Sequence, residues 1–182
     1  MTNPVEMYHY HSWANQVIFN RLKEFPEEIF YQEVQGTFPS ISKVLAHIYT
    51  TDRGWLEILS GIDMSVSMEK SGEVEEEASS RTLEELEKMF IELSQRYKSF
   101  LEMEMYLDRK IVLDNPYAGV RDTKVSEIVL HVVNHGTYHR GNVSSMLHQM
   151  GYSLTMNDYA LFWYQVKSSN SSNGKKEANK NG

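Results

Sequence analysis

The stretch TKVSEIVLHVVNHGTYHRGNVSSMLHQM, residues 123–150, decides how this chain folds. Val125, Ile128, Val132, Val143, Met146 and Met150 recur at helical spacing on one face, and Gly151 follows as a stop. Two further places on that apolar seam, where the pattern asks for Leu or Val, hold His135 and His139. A neutral imidazole turned towards a core needs a partner for each nitrogen, or the unpaired group costs roughly 1–3 kcal/mol. One divalent ion satisfies two such rings at once, because residues four apart on a helix lie on the same side.

His131 continues the four-residue series, but it lies about 12 Å along the axis from His139 at ~1.5 Å per residue. One ion therefore takes either His131 with His135 or His135 with His139. A third ligand has to come from another helix. His47 is the best placed, with His9 and His11 as competitors.

Upstream of this helix, the periodicity predicts three more. The first opens at Asn3 as N-cap with Pro4 behind it and runs to about Phe25, before Pro26. The second follows Pro39-Ser40 and ends near Leu59, with Ile41, Val44, Ile48 and Trp55 on its seam. The third opens with a capping box, Thr82 with Glu85, and steps through Leu83, Leu86, Phe90, Leu93, Tyr97 and Phe100. A long polar crossover joins the second and third helices. It contains Glu73, Glu75, Glu76 and Glu77 and reads as a solvated loop, long enough for the two helices it joins to run parallel. Lys110–Leu113, the turn-like Asp114-Asn115-Pro116 and Gly119 predict a small hairpin before the last long helix. A short aromatic helix from about Asn157 closes one end. The expected fold is all-α, a four-helix bundle occupying residues 1–166.

Composition narrows the function. The protein has 182 residues, 41% hydrophobic and 24% charged, which suits one globular domain. It lacks cysteine, so disulfides, thiolate metal sites and a cysteine nucleophile are all excluded. The net charge is -7, and the basic excess of four Lys over one Glu is confined to residues 167–182, a polar tail expected to be disordered. An acidic body does not suit nucleic acid. Without a membrane-length apolar run or a secretory leader, a cytoplasmic protein with no membrane partner is expected. The histidine pairs carry no HExxH glutamate, since Val132 and Gly136 stand there, and no G-x-S-x-G elbow occurs. Asp52 is expected to be an exposed helical carboxylate, and Trp13 and Trp55 to be core residues. Arg140 either binds an anionic substrate group or pairs with an acid.

Trp13-Ala14-Asn15 in the first helix, LAHIYTTDRGWLEILSG in the second and HVVNHGTYHRGNV in the last together resemble the DinB/YfiT-like metalloprotein family. The resemblance covers about Pro4 to Trp163. It implies an up-down-down-up bundle, a homodimer, and one nickel or zinc ion held by His47, His135 and His139, with His131 a neighbour. Gly136 and Tyr138 depart from it, standing where family members often carry Glu and His. Relatives in the wider family use low-molecular-weight thiols, so the resemblance implies metal-dependent thiol S-transfer onto a small electrophilic molecule. The alternatives are metal-dependent hydrolysis by a metal-bound hydroxide, and a non-catalytic stress-response metal-binding protein.

Overall fold

The computed structural model describes residues 3–104 and 107–165. The helices are α1 (Pro4–Leu22), α2 (Glu28–Tyr31), α3 (Ile41–Leu59), α4 (Met64–Glu69), α5 (Ser71–Ser79), α6 (Leu83–Met103) and α7 (Val125–Gln149). The strands β1 (Lys110–Asn115) and β2 (Gly119–Lys124) precede α7, and residues 159–165 are helical again. The expected tail, 167–182, lies outside the described residues.

Local chemistry sets most of these boundaries. The Asn3 side chain accepts from Val5 N at 2.9 Å, and Ser40 Oγ accepts from Lys43 N at 3.4 Å. The capping box forms in both directions, Glu85 N to Thr82 Oγ1 at 3.2 Å and Thr82 N to Glu85 Oε2 at 3.0 Å. Gly151, with φ +85°, ends α7. The first helix stops at Leu22, three residues short of the expected Phe25. Glu24 N and Phe25 N bond to Arg21 O and Leu22 O, tightening the chain into a 3₁₀ turn ahead of Pro26.

The long helices α1, α3, α6 and α7 enclose the core: α1 and α3 each pack against both α6 and α7. The seam expected for α6 is buried at Leu83, Leu86, Phe90, Leu93 and Tyr97, with Phe100 at its edge. The hairpin is antiparallel with Ile111 opposite Thr123 and Asn115 opposite Gly119. Asn115 Oδ1 accepts from Tyr117 N and Ala118 N, and Gly119 takes the positive φ that closes the turn. No helix among the described residues is long and apolar enough to cross a membrane.

The crossover differs from expectation. Instead of a solvated loop it forms α4 and α5, and α5 lies along α3. Val74 and Ala78, four residues apart, supply the contact, and the small Ala78 is fully buried. Glu73, Glu76 and Glu77 stay exposed on the outer side of α5, while Glu75 is half-buried.

At one point α1 and α7 meet with no room for a side chain. A Cβ on Gly136 would lie 2.3 Å from His11 Cε1 and 2.7 Å from His11 Nδ1. Gly136→Ala should therefore destabilise the protein by about 1–3 kcal/mol, although alanine is the better helix former by up to ~1 kcal/mol. Urea unfolding measures this, and a variant as stable as wild type would show that His11 has space to retreat.

Candidate metal centre

The side chains of His47 on α3 and His135 and His139 on α7 converge, each offering one ligand atom, with those atoms all within 4.8 Å of one another. Ring centroids are 5.1 Å apart for His47 and His135, 4.6 Å for His47 and His139, and 4.4 Å for His135 and His139. His131 stands apart. It is exposed, its ring meets Trp55 at 5.1 Å, and its centroid is 6.1 Å from that of His135. His9 faces solvent on α1.

The other competitor, His11, has both nitrogens engaged. Arg140 Nη1 donates to His11 Nδ1 at 3.1 Å, and the opposite nitrogen, Nε2, donates to Asp52 Oδ2 at 2.7 Å. The imidazole thus links a buried cation to a buried anion, and its one lone pair, on Nδ1, is already used. Asp52, expected to be exposed, is only 2% exposed, as is Arg140. The reason is position: Asp52 sits one turn beyond Ile48 on the inward face of α3, and its charge is met inside the bundle instead of by water. Arg140 also donates from Nη1 to Asn15 Oδ1 at 3.0 Å and from Nη2 to Thr137 Oγ1 at 2.7 Å. It is buried and binds across to α1. Tyr97 OH donates to the Asp52 carbonyl at 2.7 Å. Burial, and then the Asp52 charge, push its phenol well above 10, so it remains a donor.

Two residues that the sequence did not single out complete the centre. Glu75, expected in a loop, comes in on α5 and accepts from His47 Nδ1 at 3.1 Å. That bond fixes the ring and leaves Nε2 to face the cluster, the usual support for a metal-ligating histidine. Phe38 packs on both His47 and His139, with centroids at 5.2 Å and 5.3 Å, and walls off one side. Neither carried a strong signal: Glu75 sits in a run of glutamates, and Phe38 lies between helices. Trp55 is half-buried: it packs against the main core, as expected, and also lines a cleft beside His47. Trp13 does pack in a small cluster with Tyr10, Ala14, Val133 and Phe162.

The residues fit a divalent ion. His135 Nδ1 is buried with no hydrogen-bond partner among the described residues. Burial, reinforced by His139, His47 and other rings, lowers its pKa to about 3, so it is held neutral as a ligand must be. Burial, with His47 next, also lowers His139. His139 Nδ1 lies 3.1 Å from the Asn142 side-chain amide. Three imidazole nitrogen donors with no carboxylate among them suit zinc or nickel better than calcium or magnesium.

A pH dependence follows for the metal-free protein. The unfolded state binds a proton at His135 near pH ~6.5, whereas the folded state resists until about 3. Stability from this group is complete above the unfolded value and is lost as pH falls through that window. Urea midpoints of metal-free wild type should fall faster between these limits than those of His135→Gln. Parallel curves would show that the ring is protonated without cost.

The DinB family model matches residues 1–170. The chain is 46% identical over 162 residues to Protein DinB of Bacillus subtilis (strain 168), covering 89% of this chain and 94% of that one. Among solved structures, a DinB-like protein from Bacillus subtilis, YjoA, superposes with TM-score 0.59 at 15% identity, covering 84% of this chain and 97% of that one. A mycothiol-dependent maleylpyruvate isomerase superposes with TM-score 0.58 at 14% identity, covering 76% of this chain. The match spans 59% of the isomerase.

Proposed function

The chain belongs to the DinB family, and from that premise we propose that it is a metal-dependent thiol S-transferase acting on small electrophiles, with one nickel or zinc ion held by His47, His135 and His139. The observation that carries the reading is the convergence of three imidazoles, one with a buried nitrogen that no group among the described residues satisfies. A divalent ion bound there would hold a thiol and draw its pKa down from about 8.5 towards neutrality. The protein's own contribution is positional. Glu75 orients His47, the Asn142 amide stands behind His139, and Phe38 keeps water from one side. The thiol itself comes from the mycothiol-dependent isomerase, whose fold the chain shares. In the reaction the sulfur bonds to the electrophilic carbon, the leaving group departs with its electron pair, and the thiol proton passes to solvent. The same reading takes the protein as a cytoplasmic homodimer that binds neither nucleic acid nor membrane.

The test is consumption of a chlorodinitrobenzene, followed by chloride release, with thiol and metal supplied separately and together. Turnover is expected only with both, and its pH profile should follow a lowered thiol pKa. Equal consumption without thiol would move the reaction to hydrolysis. Inertness of the metal-loaded protein across several thiols and electrophiles would leave a binding role.

A further inference from the structure

A cleft of about 270 Å³ runs between α3 and the pair α4–α5, with His47 and Glu75 at one end of its lining. Its size is near the lower end of small-molecule clefts, which span about 300–1,000 Å³. Trp55, Ile58, Met64 and Met68 supply the apolar part of the walls. It exists because the crossover is helical: α5 closes on α3 through Val74 and Ala78, and α4 brings its two methionines to the cleft that Trp55 also lines.

We propose that this cleft is the binding subsite for the electrophile, and that it selects uncharged, largely apolar molecules, such as a substituted aromatic ring, over anionic ones. The proposal rests on the transferase reading for the ligand's fate, but not for its binding. Among the described residues no Lys or Arg lines the cleft, and the one carboxylate on its lining, Glu75, already accepts from His47. Of the four hydroxyls on the lining, those of Thr50, Thr51, Ser67 and Ser71, two are committed to backbone carbonyls. Ser67 Oγ donates to Gly54 O at 3.3 Å, and Ser71 Oγ donates to Met68 O at 2.7 Å. Thr50 Oγ1 is different, having no partner among the described residues, but it is buried behind the wall. The surrounding charge acts the same way. Residues 41–79, which build the cleft, contain eight acidic and three basic side chains. Apart from the ion at its His47 end, a buried anion would meet neither a cation nor a set of free donors among the described residues, so its desolvation would go largely uncompensated. Trp55 and the thioethers of Met64 and Met68 suit an aromatic ring, through stacking and sulfur–ring contact.

The experiment compares two probes on the metal-loaded protein by calorimetry, with no thiol present: a chloronitrobenzene bearing an N,N-dimethylsulfonamide, and the matching chloronitrobenzenesulfonate. The neutral probe should bind at least about tenfold more tightly. Trp55→Ala should weaken it by about tenfold or more. Met68→Lys should bring the sulfonate level with the neutral probe or ahead of it. Met68 is half-buried on a short helix, so a lysine there can keep its head at the rim while its stem packs. Metal content and circular dichroism check that each variant retains its fold. Equal or tighter sulfonate binding by wild type would overturn the selectivity. Neutral-probe affinity unchanged in both variants would put the ligand elsewhere and overturn the subsite. Binding in the expected pattern with no product on adding thiol would support the subsite and remove the transferase reading. Product formation without that pattern would remove the subsite alone.

Discussion

His135→Ala and His139→Ala should each lose the metal ion on dialysis, and His47→Ala should lose it as well, whereas His131→Ala should retain it. Two ligands from α7 cannot hold an ion that faces a second helix, and His131 turns towards Trp55, away from the cluster. Elemental analysis after dialysis against buffer measures the outcome. Stoichiometric metal in His135→Ala, or its absence from His131→Ala, would refute the assignment. The variants that lose metal should still be folded. A core contributed by all four long helices exists without the ion, which adds about 2.7 kcal/mol at a hundredfold excess over its Kd. Their melting temperatures should drop towards that of chelated wild type while helical circular dichroism persists at room temperature.

Asp52→Ala should destabilise the protein by about 3–5 kcal/mol, because it leaves the fully buried Arg140 without its counter-charge. Arg140→Met should cost a similar amount for the converse reason. The two charges meet through the ring of His11, so their effects are coupled: the double variant should be less destabilised than the sum of the singles. Urea unfolding of the metal-free proteins keeps ion binding out of the comparison. Glu76→Ala, on the exposed side of α5, serves as a control and should stay within about 0.5 kcal/mol of wild type. An Asp52→Ala midpoint as high as that control would mean that the carboxylate does not balance Arg140.

These two sets of residues differ in how far they could be read in advance. His135 and His139 interrupt an apolar seam with polar rings one turn apart, an arrangement that local periodicity exposes directly. His47 stands out in sequence only through its place beside the seam of the second helix, and family resemblance is what favours it over His9 and His11. Asp52 and Arg140 gave the opposite impression. A charged residue on an amphipathic helix reads as solvent-facing, and only a partner on a different helix can change that. Here the partner is His11, 41 residues from Asp52 and 129 from Arg140.

The amino-acid sequence by itself determined the long helices, their caps, the hairpin turn and the apolar seams, because each depends on residues a few positions apart: Thr82 with Glu85, Asn115 with Tyr117, Ile128 with Val132. Tertiary structure alone decided that the acidic crossover would fold as α4 and α5 against α3, that Glu75 would reach His47, and that Phe38 and Trp55 would border the centre. It also decided that His11 would be consumed between Asp52 and Arg140. Those outcomes turn on which helix faces which and how closely. Gly136 illustrates the cause, since the missing Cβ on α7 is what lets the His11 ring of α1 come close enough to join the two buried charges.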